Sequence, residues 1–137
     1  MKIVEFYTDK EISLLFGKVW RPYADVELTK GDKSIPYRML VDPGADITLI
    51  ARLTGEYLGL QIEKEDKIYE LSGVTGEPIS VIIKEIKMRI GDIEFPLRVA
   101  WSMIEEVPLL IGRLDVFDRF DVELRQREGK VIFKEVG

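Results

Sequence analysis

Turn signals interrupt this sequence before any apolar run can grow into a long helix. Lys30–Ser34, Gly73–Gly76, Gly91-Asp92 and Glu128-Gly129 are polar or glycine-bearing breaks, and the segments between them are rich in Val, Ile, Leu and aromatic residues. Runs of this length between Gly and Asp turns predict β-strands. They fall at Met1–Tyr7, Tyr23–Thr29, Ile35–Val41, Ile47–Ile50, Lys67–Leu71, 78–90, Ile93–Trp101, 108–112, Asp121–Arg125 and Lys130–Glu135. Only ARLTGEYLGL at 51–60 and RLDVFDRF at 113–120 read as short helical stretches. The first would place Leu53, Tyr57 and Leu58 on one side, with Gly59 near its end. Within 78–90 the alternation changes phase, from Ile79, Val81 and Ile83 to Ile86, Met88 and Ile90. A one-residue slip exchanges the faces of a strand, so a bulge or sharp bend is expected near Lys84. The expected fold class is all-β, a closed or nearly closed β domain with one or two short helices. No linker or repeat divides the chain, and 137 residues suit a single domain, 1–137.

The residue types that are missing narrow the chemistry. The sequence has no Cys and no His, which removes disulfides, thiolates, Ser-His-Asp triads and the common zinc sites. Catalysis would have to rest on Asp, Glu, Lys, Tyr or Ser, with no cofactor or metal expected. Asp115, Asp118 and Asp121 lie three apart but do not form a calcium-loop pattern, and a charged helix face accounts for them better. A net charge of −5 and a pI near 4.9 disfavour nucleic acid and anionic membranes as partners. The same acidity argues against reading Gly73–Gly76 as an RNA-binding Gly-x-x-Gly loop. Glu5, Asp9 and Lys10 break up the start, and no apolar stretch reaches the ~20 residues of a membrane span, so a cytoplasmic protein is expected. Asn is absent, Gln occurs only at 61 and 126, and Lys and Glu abound, a composition that points towards a hot-living source. Trp20, Trp101 and Phe117 are expected in the core or an interface.

The stretch VDPGAD at 41–46 carries the main functional question. Asp42-Pro43-Gly44 fits a plain β-turn, with Pro43 presetting φ and Gly44 taking the positive φ of a type II corner. It also fits a carboxylate held on a loop between two strands. The sequence contains Asp-x-Gly once, at 42–44.

Three elements follow one another in chain order: VDPGAD at 41–46, LSGVTGEP at 71–78 and PLLIGRLDVFDRF at 108–120. Together they resemble the retropepsin-like aspartic proteases, the single-lobed relatives of pepsin, over roughly residues 20–125. The resemblance implies a closed β domain in which Asp42 is the catalytic carboxylate and Pro43, Gly44, Ala45 and Asp46 complete the active loop. It implies a substrate-covering flap at Ser72, Gly73, Val74, Thr75 and Gly76, and a supporting segment at Gly112-Arg113 behind the active loop. It further pairs Asp46 with Arg113 and makes Arg21-Pro22 the counterpart of the family's Arg-Pro pair. Because two carboxylates must share one proton in this chemistry, a single copy implies a homodimer with one Asp42 from each subunit, acting on a peptide or protein substrate.

One residue departs from the family pattern. Pro43 stands where the family has Thr or Ser, whose hydroxyl and N–H bond across the two-fold axis; proline has neither group. Two functions are therefore compatible with the sequence: a homodimeric aspartic endopeptidase, and a non-catalytic peptide-binding or assembly module left inactive by Pro43.

Overall fold

A computed structural model of the chain describes residues 2–72 and 76–136. The strands are β1 (Ile3–Tyr7), β2 (Glu11–Ser13), β3 (Gly17–Val19), β4 (Tyr23–Lys30), β5 (Lys33–Val41) and β6 (Thr48–Ile50). After α-helix α1 (Arg52–Tyr57) come β7 (Ile68–Leu71), β8 (Ile79–Ile90), β9 (Ile93–Ser102), β10 (Leu110–Ile111), β11 (Phe120–Arg125) and β12 (Lys130–Glu135). A 3₁₀ turn at Gln126–Glu128 joins the last two, closed by Gly129 with φ of 69°.

Six strands close on themselves in the order β4-β5-β10-β6-β9-β8, and β8 returns to β4 through Leu28↔Met88 and its neighbours. Closure removes the free edges that an open sheet of this size would expose. The fold is thus the all-β, barrel-like domain that the strand pattern predicts. Alternating residues fill its interior: Val26 and Leu28 of β4, Ile86, Met88 and Ile90 of β8, and Phe95, Leu97 and Val99 of β9 are all buried. A separate three-stranded sheet, β1-β12-β11, packs against this barrel. The link is a chain of edge-on aromatic contacts, Phe6 to Phe133, Phe133 to Phe120 and Phe120 to Phe95, with ring centroids 5.9, 5.6 and 5.5 Å apart.

No bulge interrupts β8. Its antiparallel ladder with β9 is unbroken from Val81↔Ser102 to Ile90↔Ile93. Even-numbered residues Ile82, Ile86, Met88 and Ile90 face the main core throughout. The odd-numbered face meets a second, smaller apolar cluster at Ile79, Val81 and Ile83 and then solvent at Glu85, Lys87 and Arg89. The apparent phase change arises because Lys84 occupies a core-facing position. There its side chain, 14% exposed, meets Asp66 at 2.8 Å.

The helix does not bury Leu53, Tyr57 and Leu58 as one apolar side. Leu53 and Tyr57 are exposed, whereas Thr54, Gly55 and Leu58 are buried. The reason is Trp101, whose indole N–H donates to the Arg52 carbonyl at 3.0 Å and leaves room for no side chain at Gly55. The predicted helical stretch at 113–120 remains two overlapping turns, Phe117 N to Arg113 O and Phe120 N to Val116 O, because Asp115 inside the first has φ of 66°. Its carboxylate accepts bonds from the Arg98 backbone N–H at 2.8 Å and from the Arg98 guanidinium, which holds that left-handed conformation in place. Asp118 accepts from the Asp115 N–H.

These ion pairs give the fold a defined response to acid. Hydrogen bonds from Arg38, Lys84 and Arg98 hold the carboxyl groups of Asp25, Asp66 and Asp115, respectively, below the usual range. Each group protonates less readily in the folded chain than in the unfolded one. Their stabilisation is therefore complete above the ordinary carboxylate pKa, about 4. It is lost as pH falls through the lowered values. The thermal midpoint is expected to be level from neutral pH to mild acidity and to drop below about pH 4. A midpoint that rises over that acid range would contradict the role assigned to the pairs.

Candidate active site

The loop after β5 is stitched to other segments on both sides of its turn. Val41 donates its N–H to the Pro22 carbonyl at 2.8 Å, and Asp42 donates to Ile111 O at 2.9 Å. Beyond the turn, Ala45 O accepts from Arg113 N and Asp46 O accepts from Leu114 N, both at 2.9 Å. The two-residue strand β10 makes this possible: it lies parallel to β5, with Ile111 opposite Val41, and antiparallel to β6, with Leu110 opposite Leu49. Two distant stretches of sequence, 41–48 and 109–114, thus form one rigid unit around Asp42.

Asp42 itself is half-buried, while Pro43 and Gly44 are exposed. Ala45 N donates to Asp42 O at 3.0 Å, closing a β-turn, and Gly44 N donates to Asp42 Oδ1 at 2.9 Å. Gly44 does not take a positive φ, so the type II corner expected from the sequence is not formed. The Asp42 carboxylate bonds locally to the N–H two residues on, which the chain achieves with Pro43 at its preset φ and Gly44 at negative φ, as in a type I turn. A Cβ on Gly44 would sit 3.2 Å from Asp42 Oδ1, so glycine here leaves the carboxylate room. The second carboxylate oxygen, Oδ2, has no protein partner among the described residues.

Gly112 has a different reason to be glycine. A Cβ there would run into the Ile47 backbone. Its N–H donates to the fully buried Thr48 hydroxyl at 3.1 Å. Thr48 was not among the residues singled out from sequence. Its signal is a polar residue opening an otherwise apolar run, TLI, and a buried hydroxyl requires a partner.

The expected ion pair between Asp46 and Arg113 is not formed. Their segments are bonded through backbone groups, and both side chains stand exposed without a salt bridge to each other. A pair in such an exposed position would contribute under ~1 kcal/mol, too little to hold two flexible side chains in one geometry. Arg113→Ala is accordingly expected to shift stability by less than ~1 kcal/mol in chemical denaturation. A larger loss would mean that the arginine is held in solution after all.

Of the expected flap, Gly73, Val74 and Thr75 lie outside the described residues. The strands leading to it, β7 and β8, pair antiparallel up to Leu71↔Ile79, with Ser72 and Gly76 exposed beyond them. Near their ends lies the second apolar cluster, Leu49, Val81 and Ala100, against which Ile47, Leu71, Ile79 and Leu110 pack half-buried. This cluster joins the residues that follow Asp42 to the base of the 72–76 segment. Arg21-Pro22 also falls beside the loop, through the Pro22 bond to Val41.

A sequence model of the family described as aspartyl protease matches residues 25–113, more than half of the chain. The chain belongs to this aspartyl protease family. Among solved structures it is similar to the EIAV protease complexed with the inhibitor HBY-793, at 19% identity and a TM-score of 0.53, covering 68% of this chain and 82% of that one. At that identity the likeness speaks for the fold, a retropepsin-like single lobe. Compared with the curated proteins, no sequence matches this chain.

Proposed function

We propose that the protein is an aspartic endopeptidase that works as a homodimer, with one Asp42 carboxylate from each subunit. The observation that carries this reading is the Asp42 loop. A single carboxylate has one oxygen held by the Gly44 N–H and the other without a partner among the described residues, on a backbone pinned by Ile111. With one Asp-x-Gly in the chain, a second copy has to supply the second carboxylate.

Two carboxylates brought close cannot both ionise, so the pair holds one proton between them. The ionised member takes a proton from water, whose oxygen then bonds to the peptide carbonyl carbon. The protonated member gives its proton to the carbonyl oxygen. Collapse of the resulting diol breaks the C–N bond, and the amine leaves with a proton returned from the dyad. An extended peptide would lie across the dimer in strand-like form beneath the Ser72–Gly76 segment, with apolar side chains against Ile47, Ile79 and Leu110. A reducing cytoplasm suits a chain without Cys. No helix among the described residues is long and apolar enough to cross a membrane.

Pro43 favours a second reading. It stands exposed at the tip of the loop and offers neither an N–H nor a hydroxyl for bonding across the two-fold axis. A peptide-binding or assembly module would keep the fold without the chemistry. A statine-type transition-state analogue separates the two. A working dyad should bind it at least ~10²-fold more tightly than a matched ordinary peptide, with one inhibitor per two chains. Equal affinity for analogue and peptide would favour the binding module.

A further inference from the structure

Between β1 and the barrel the chain leaves the body of the molecule as a short hairpin, β2 and β3, paired Glu11↔Val19 to Ser13↔Gly17. Its tip carries Ile12, Leu14, Leu15 and Phe16, exposed by 83%, 104%, 84% and 78%. No charged residue lies between Glu11 and Lys18. Four large apolar side chains within five residues form an unusual patch for a free surface. The tip is nonetheless built. The Ser13 hydroxyl accepts the N–H groups of both Leu15 and Phe16 at 3.3 Å, and Gly17 turns the chain with φ of 71°. The root is clamped as well: Glu11 receives Arg21 at 2.8 Å and the Tyr23 hydroxyl at 2.9 Å. A two-stranded ladder this short is marginal in water and needs cover to be stable.

We infer that this hairpin is a dimerisation arm, whose apolar tip is covered by a second copy of the same chain. The inference rests on the homodimer reading above and extends it to residues outside the family-matched segment. Two observations select this occupant. The arm runs directly through Arg21 into Pro22, whose carbonyl pairs with Val41, the residue before Asp42. It therefore springs from the rim of the loop that has to meet a second copy. The size also fits. In a two-fold dimer each contact occurs twice, so two arms bring eight large apolar side chains. Burying these with the surface they cover removes on the order of 1,000 Å², a major part of a standard interface.

Sedimentation velocity across a concentration series tests this on the whole chain, comparing wild type with the combined variant Leu14→Ser, Leu15→Ser, Phe16→Ser. These side chains touch nothing in their own chain's core, so the circular dichroism spectrum should be unchanged. The dimer dissociation constant should rise at least ~100-fold. Because the sequence has no Cys, Leu15→Cys gives a single reporter thiol. Its reaction with a maleimide should slow at least ~10-fold once the protein is concentrated above its dissociation constant, as a covered site requires. A wild-type dimer matched in affinity by the triple variant, or a thiol equally reactive in both states, would overturn the arm and leave the homodimer standing. A wild type monomeric at every concentration would overturn both. A chain that dimerises through the arm but cleaves nothing would support the arm and count against the peptidase alone.

Discussion

Asp42→Asn is expected to lower cleavage of a denatured protein substrate by roughly 10²–10⁴-fold or more, the range supplied by a positioned acid–base group. Asparagine keeps the Oδ1 acceptor for the Gly44 N–H, so the turn and the fold should be retained. The substitution also removes like-charge repulsion between paired loops, which should leave the dimer as tight or tighter. Pro43→Thr is the informative companion. It restores an N–H and a hydroxyl to each loop, and at ~1 kcal/mol net per hydrogen bond it should stiffen the paired loops modestly. Rate depends steeply on the spacing of reacting groups, so cleavage should rise above wild type. The assay compares all three proteins at mildly acidic pH. Equal cleavage by wild type and Asp42→Asn would place the chemistry on other residues. No cleavage by wild type or Pro43→Thr, with a folded dimer present, would favour the binding module.

Gly112→Ala should be among the most damaging single-methyl changes in this chain. The new Cβ would overlap the Ile47 backbone, which cannot rotate aside as a side chain does. Relief requires moving β10 away from β6, with loss of the buried Gly112 N–H to Thr48 bond. Overpacking against backbone together with an unsatisfied buried donor should cost about 3 kcal/mol or more. Urea denaturation followed by tryptophan fluorescence reads this as a lower midpoint. A midpoint within ~0.5 kcal/mol of wild type would show that the contact between the two segments is loose.

Most of the barrel was legible in the sequence because its strands alternate. Tyr23–Thr29 and Ile93–Val99 show their buried residues at every second position, and the turns between strands carry Gly or Asp where the backbone needs them. The Asp42 loop was legible too, since Asp-Pro-Gly between apolar runs marks a turn. What failed were inferences that needed to know the neighbours. Lys84 broke the alternation of β8 and suggested a slip, because a lysine on a core face is only understandable once Asp66 is seen opposite it. Leu53, Tyr57 and Leu58 read as one apolar side of the helix, but the buried side is chosen by Trp101, 44 residues past Tyr57 in sequence. The hairpin at 11–19 gave no strand signal, since Ile12-Ser13-Leu14-Leu15-Phe16 shows no alternation and packs its apolar side chains against nothing in its own core. Likewise Asp46 and Arg113 were brought together, but by peptide groups and not by their charges.

The way the Asp42 loop is held has a consequence for the order in which the molecule comes into being. Its restraints come from Pro22 on one side and from Ile111, Gly112, Arg113 and Leu114 on the other. Contacts so far apart along the chain are slow to form, because a long intervening loop must close first. On the ribosome, a nascent chain that has emerged only as far as β9 has no strand to place between β5 and β6. Its Asp42 turn is then an unbraced corner. The loop takes its shape only when β10 and Gly112–Leu114 arrive, so a partly made chain carries the aspartate without its mounting.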